Sequence, residues 1–393
     1  MDRRLLVLAA GMFALGTDSF VVAGVLPQIS QSFDVSIEAA GQMATIYAIT
    51  YALLAPTIAV LAAGVRRKSL LFCSLALFLV ANLATALAPT YSLAMATRVL
   101  AGISAAMFAP TATGAAAMLV TPERRGFALS VVAAGLAGST ALGTPIGALI
   151  GNFGDWRWTM AFVAAIAAVA GTGVWTMLPE VPLPPKVGLK QRLAPLADPR
   201  IGLTLLTTLL TMAGVFTVYT YFTVVFDRAI AGNGMVLGAL MVLWGAAGTL
   251  MNLLSGRLID VIGGRKVIFL LLAVQSVNTL LFPWTSANLW TAAVAIAIWG
   301  ACGWGYLAPQ QHRLVTVAPQ AAPVLLGMNN SFSYLGLSLG GVVGAVGIHL
   351  ADAHRLGFIG AVLIVGAFIA AELASRRINA ANVVKPACAA ASA

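Results

Sequence analysis

Long apolar runs dominate this chain. A helix needs about 20 apolar residues to cross a bilayer. The sequence supplies such runs at residues 5–27, 40–63, 69–88, 92–119, 126–150 and 157–178, and again at 201–226, 235–259, 266–284, 288–310, 323–348 and 355–374. Only 9% of the residues are charged and 60% are hydrophobic, whereas a soluble domain carries about 25% charged residues. Mean hydropathy is +0.96. These features predict an all-α integral membrane protein with twelve transmembrane helices, and they exclude a soluble fold. The first run is too long for the apolar part of a signal peptide and contains Asp18, so it reads as a retained helix.

The formal net charge is +10. In a soluble protein this would suggest nucleic acid, but here the basic residues lie in short clusters between apolar runs. The expected partner is the lipid bilayer, and no nucleic acid is expected. With the N-terminus inside, Arg3, Arg4, Arg66, Arg67, Lys68, Arg124, Arg125, Lys186, Lys190, Arg192, Arg200, Arg257, Arg265, Lys266, Arg313, Arg376, Arg377 and Lys385 all fall on the cytoplasmic side. Only Arg157, Arg228 and Arg355 face outward, and Arg98 falls inside a run. That bias predicts cytoplasmic termini and an even number of spans. A Pro-rich, charged stretch divides the chain. The expected parts are a six-helix bundle over 1–178, a cytoplasmic linker over 179–200, a second six-helix bundle over 201–374 and a polar, disordered tail over 375–393.

The halves repeat. Arg67-Lys68 matches Arg265-Lys266 at an offset of 198, and Ala109-Pro110 matches Ala308-Pro309 at 199. Val120-Thr121-Pro122 matches Val317-Ala318-Pro319, and Gly143 with Gly147 matches Gly340 with Gly344, both at 197. Four matches near one offset indicate a duplicated six-helix unit. Both copies enter the membrane in the same direction, so they are parallel repeats with an axis along the membrane normal. Substrate sites in such repeats lie between the halves near the midplane.

Three motifs stand out. Gly256-Arg257-Leu258-Ile259-Asp260 leads to Gly263-Gly264-Arg265-Lys266, and its first-half copy, Ala63 to Lys68, lacks the acid. Arg98-Val99-Leu100-Ala101-Gly102 lies in the fourth run. Ser139, Gly143, Gly147 and Gly151 recur every four residues around Pro145, and Gly336, Gly340 and Gly344 repeat the stripe. With these motifs the chain resembles the major facilitator superfamily over essentially its whole length, and within it the twelve-span drug:proton antiporters. The resemblance implies a charge latch at Gly256, Asp260 and Arg265, for which a plain topology anchor is the alternative. It implies a proton-transfer role for Arg98. It also implies helix rocking at Gly143, Pro145 and Gly147, for which a packing seam is the alternative.

Among the acids only Asp18 lies well inside a run, and among the bases only Arg98 does. At 1.5 Å per residue both lie roughly 20 Å from the cytoplasmic edge. Intramembrane charges need a partner or an aqueous cavity. Asp18 is therefore the expected protonation site and Arg98 its partner, because arginine does not titrate; a permanent structural ion pair is the alternative. At an offset of 198 the pair maps to Phe216 and Ile296, so the duplication does not require it. If the family's cavity is present, its expected substrate contacts are Tyr47, Tyr51, Tyr219, Phe222, Trp244, Asn252, Trp299, Trp304, Gln310, Asn330 and Tyr334. His312 reads as a solvated loop residue and His349 and His354 as interface residues, without metal spacing, and the cysteines form no motif.

These readings converge on a bacterial inner-membrane secondary transporter, monomeric and without cofactor. It is expected to expel a small amphipathic molecule such as a drug, a sugar or another metabolite, in exchange for protons. The alternatives are a facilitator or proton-coupled importer on the same fold, and more remotely a membrane-embedded enzyme. No nucleophile–base set supports the enzyme, and no nucleotide-binding loop of the G-x-x-x-x-G-K-[ST] type supports ATP drive.

Overall fold

The computed structural model describes residues 3–121, 124–181 and 194–391, and it contains no strand among them. The crossing helices of the first half are α1 (Arg3–Val21), α2 (Ile37–Leu61), α3 (Arg67–Ala86), α4 (Tyr91–Met118), α5 and α6 (Trp156–Met177). Helix α5 is composite: Arg125–Gly138, a π turn at Ser139–Gly143, then Thr144–Phe153. The second half holds α7 (Pro199–Tyr219), α8 (Gly234–Ile262), α9 (Gly264–Leu280), α10 (Leu289–Gly305, continued by Leu307–Val317), α11 (Ala322–Ala351) and α12 (Leu356–Ala391). Ten of these are long and apolar enough to cross a membrane. Helix α2, with 25 residues, and α9, with 17, complete twelve. Seventeen residues span about 26 Å, and the short helix Phe282–Thr285 prolongs α9.

The helix ends depart from the expected runs in several places. The seventh run breaks after Tyr219 into two short helices, Phe222–Val225 and Asp227–Ile230. The tenth run continues to Val317. The tail expected to be disordered from Ser375 is helical to Ala391. That segment is rich in alanine, the best helix former, and Arg376 reaches back one turn to Glu372 at 2.8 Å. Of the expected linker over 179–200, Lys186, Lys190 and Arg192 lie outside the described residues.

The π turn has a local cause. Pro145 has no N–H to donate, and its ring would press on the carbonyl of Ala141 in a regular helix. The wider turn over Ser139–Gly143 carries the chain past that conflict. The glycine stripes explain how each half packs. A methyl added at Gly147 would meet Val21 Cγ2 at 2.6 Å, and one at Gly143 would strike Thr17, so α5 lies directly on α1. In the second half, methyls at Gly340 and Gly344 would meet the Ala213 and Thr217 carbonyls at 2.6 and 2.7 Å, so α11 lies on α7. The same seam is thus built twice, at positions related by the repeat.

Among the described residues, the tight glycine contacts between the halves gather toward one face of the molecule. On the face away from the termini, a methyl at Gly41 would meet Tyr221 at 2.8 Å, and one at Gly24 would meet Met241 Sδ at 3.2 Å. Gly238 of α8 faces Leu149 of α5 in the same way at 3.1 Å, and Gly245 faces Thr140. Tyr221 Oη donates to the Gly341 carbonyl at 2.9 Å, with Gln42 beside it. On the face that holds the termini, Gly64, Gly114, Gly256 and Gly327 have open space around them. Leu61, Leu253 and Phe127 are exposed there. The molecule is sealed on the far face and open toward its termini.

Candidate functional site

Asp18 of α1 and Arg98 of α4 meet in the first half. Arg98 Nη1 lies 2.7 Å from Asp18 Oδ1, and both side chains are fully buried. The rest of the guanidinium is held by weaker contacts. Nε donates to the Met43 carbonyl and Nη2 to the Asp18 carbonyl, each at 3.4 Å. The Tyr47 ring covers its face, 4.9 Å from the guanidinium carbon. Tyr47 itself is anchored through its hydroxyl to the Leu15 carbonyl at 3.5 Å. Helices α1, α2 and α4 thus enclose the pair. The other carboxylate oxygen, Oδ2, is buried with no hydrogen bond at normal geometry, although the buried amide of Asn82 on α3 also acts on this carboxyl. A carboxylate with one oxygen bound and one spare can take up a proton without first losing its partner.

Directly beside the pair the halves touch. Ser19 Oγ lies 3.4 Å from Tyr334 Oη, and the Tyr51 and Tyr334 rings stand 4.0 Å apart. Toward the second half, Tyr219, Phe222, Trp244 and Trp299 form a continuous aromatic body: Tyr219 packs on Trp244 at 4.4 Å, and Trp244 on Trp299 at 5.7 Å. Phe20 crosses from α1 to stack on Phe216 at 5.8 Å and to meet Trp304 edge-on at 5.7 Å. The indole N–H groups of Trp244, Trp299 and Trp304 are buried and make no hydrogen bond. The body packs aromatic surface against aromatic surface, with these indole donors inside it.

The other expected contacts divide by position. Asn252 is half-buried and donates to the Trp304 carbonyl at 3.1 Å. Asn330 is exposed on the open side, whereas its neighbour Asn329 is buried and accepts from Thr208 Oγ1 at 2.8 Å. Gln310 is fully buried and donates to the Thr204 carbonyl at 3.0 Å, tying α10 to α7. Of the latch residues, Asp260 is exposed and makes no ion pair among the described residues. Arg265 reaches Glu372 of α12 instead, at 3.0 Å. The sequence reading passed over Phe20, Ser19, Asn82 and Asn329. Asn82 carried a signal, because a lone amide in an apolar run needs a buried partner; Asn329 was masked by its neighbour Asn330, and Phe20 carried none.

Two six-helix halves that pack against each other beside a buried ion pair have the architecture of a membrane transporter. The sequence profile of the Major Facilitator Superfamily matches residues 8–341, and the chain belongs to that family. It is 31% identical over 349 residues to the inner membrane transport protein YdhP of Escherichia coli K12, covering 88% of this chain and 89% of the relative. It is 25% identical over 363 residues to a probable sugar efflux transporter of Helicobacter pylori strain G27, covering 92% of each. Its fold matches that of a mutant of the nucleoside transporter NupG with a TM-score of 0.78 at 12% identity, covering 94% of this chain and 98% of that one. The chain is therefore a multi-pass membrane transporter of small molecules, and not an enzyme.

Proposed function

We propose that this transporter expels a small amphipathic molecule in exchange for protons, with both termini in the cytoplasm of a bacterium and the protein acting as a monomer in the inner membrane. In this reading the bundles over 1–178 and 201–374 rock about the linker over 179–200. The observation that carries the proposal is the Asp18–Arg98 pair. Among the described acids of the first half Asp18 alone is fully buried, its Oδ2 makes no hydrogen bond at normal geometry, and it adjoins the Ser19–Tyr334 contact between the halves. Protonation would cancel its charge and weaken its hold on Arg98, biasing one packing of the halves over the other. The basic clusters favour cytoplasmic termini, which makes the open face the inward one. The efflux description of the Helicobacter relatives supports the direction. The aromatic body supports a flat or ring-bearing substrate.

The test uses purified protein in vesicles containing a pH-sensitive dye, with a panel of monosaccharides and aromatic cations added outside. Wild-type protein is expected to move protons against at least one of them. Asp18→Asn is expected to abolish that exchange and to keep unlabelled-for-labelled substrate exchange. Proton-driven transport by Asp18→Asn would overturn the proposal.

A further inference from the structure

On the face that holds the termini, α9, α10 and α12 enclose a cleft of about 190 Å3 lined by Arg265, Pro309, His312, Arg313, Ser375 and Asn379, among others. It lies within the second half, away from the ion pair and from the aromatic body. Arg313 is 9% exposed. Its Nη1 donates to the Ala371 carbonyl at 3.4 Å and its Nη2 to Ser375 Oγ at 3.1 Å. Neither partner carries charge, and these bonds use two of its five N–H groups.

The carboxylate that acts on Arg313 is Glu372, and it is already committed. Arg265 Nη2 holds its Oε2 at 3.0 Å and Arg376 Nε holds its Oε1 at 2.8 Å. Three guanidinium groups therefore share one carboxylate, and the most buried of the three is the one without an ion pair among the described residues. A buried charge lacking a counter-ion is a costly arrangement. An anion entering the cleft would relieve it.

We propose that this cleft binds a phosphate group, carried either by the head of an anionic phospholipid or by a soluble phosphate. The guanidinium fork matches two phosphate oxygens at once. Pro309, Val317 and Ile378 line the same cleft and offer apolar contact beside the charge. Basic pockets between membrane helices near the surface suit a phospholipid head in particular.

The experiment uses the full chain in detergent with two probes. Phosphatidylglycerol is titrated against phosphatidylcholine and bound lipid is counted by native mass spectrometry. Inorganic phosphate is titrated against chloride at equal ionic strength and read by thermal shift. Arg313→Gln is expected to weaken the bound probe about tenfold, the scale of one charge-assisted contact. Glu372→Gln is expected to tighten it, because the internal competitor is gone. Asn379→Asp, at an exposed position, is expected to weaken it by placing a carboxylate in the cleft. If Arg313→Gln fails to fold, Asn379→Asp decides alone. Response to phosphatidylglycerol only identifies a lipid, and response to inorganic phosphate identifies the soluble group. Binding of neither probe by wild type, or equal binding by wild type and Asn379→Asp, overturns the proposal.

Discussion

Gly245 of α8 faces the backbone of α5 across the line between the halves, and Gly245→Ala tests whether that seal opens. The added methyl would collide with the Thr140 carbonyl oxygen and stand 2.8 Å from Ala141 Cα, where 3.4 Å or more is ordinary contact. Both obstacles are main chain in the π turn, so no side chain can swing away. The halves must separate by about half an ångström or more, or absorb the overlap as strain. Overpacking of this kind costs about 1–3 kcal/mol, and the cost exists only in states where α5 and α8 touch. The equilibrium should therefore move toward the state open on the far face by about 5- to 150-fold. Gly336→Ala is the control: its methyl would meet the Leu209 carbonyl at 2.5 Å within the second half, whatever the halves do. It should lower thermal stability and leave the equilibrium alone. Spin labels at Phe153 and Met235, both exposed at the far face of opposite halves, report the distance in a variant lacking Cys73, Cys302 and Cys388. Gly245→Ala should populate the longer distance. An unchanged distribution, or an equal shift in Gly336→Ala, would refute the reasoning.

Other consequences are simpler to state. Arg98→Met leaves the Asp18 carboxylate buried alone and should destabilise the protein by about 3–5 kcal/mol, whereas Asp18→Asn combined with Arg98→Gln should recover much of that loss in detergent melts. At the far face, the backbone N–H of His354, followed by its ring, holds the Asp352 carboxyl below its usual value. A depressed carboxylate contributes stability that is complete above its unfolded value, about pH 4, and is lost as the pH falls through the folded value. Asp352→Asn should flatten that acid limb of the melting curve without altering the neutral plateau.

How far the sequence revealed this molecule depends on what kind of signal each part leaves. The helices were legible because a bilayer demands a long apolar run for each crossing. Asp18 and Arg98 were legible because charge inside such a run is costly and the two shared a depth. The structure brings them to 2.7 Å. The aromatic body was legible only in part. Trp244 and Trp299 could be named, but their complete burial depends on the break in the chain after Tyr219, which turns Phe222 and Phe226 inward against Trp299. Asn329 and Asn330 could not be told apart, since adjacent helical residues differ by about 100° in direction and only packing shows which faces α7. The pairing of Arg265 with Glu372 was hidden for another reason. Glu372 lies more than a hundred residues away, near the end of the twelfth apolar run, and no spacing in the sequence links it to the loop before α9.

The repeat sharpens what the ion pair can do. Where the first half has Asp18 and Arg98, the second has Phe216 and Ile296, both buried among apolar neighbours. Phe216 packs against Phe20, two residues from Asp18. A change in the charge of Asp18 is therefore felt directly by one half and has to reach the other through contact. Beside the Phe20 contacts with Phe216 and Trp304, two others lie close enough to carry it, the Ser19–Tyr334 hydroxyl pair and the Tyr51–Tyr334 ring pair, and both of these end on the same residue of α11. If coupling runs through Asp18, Phe20 of α1 and Tyr334 of α11 are where it crosses. If Asp18 is the proton site, its complete burial here means that the proton enters or leaves in a different arrangement of the halves.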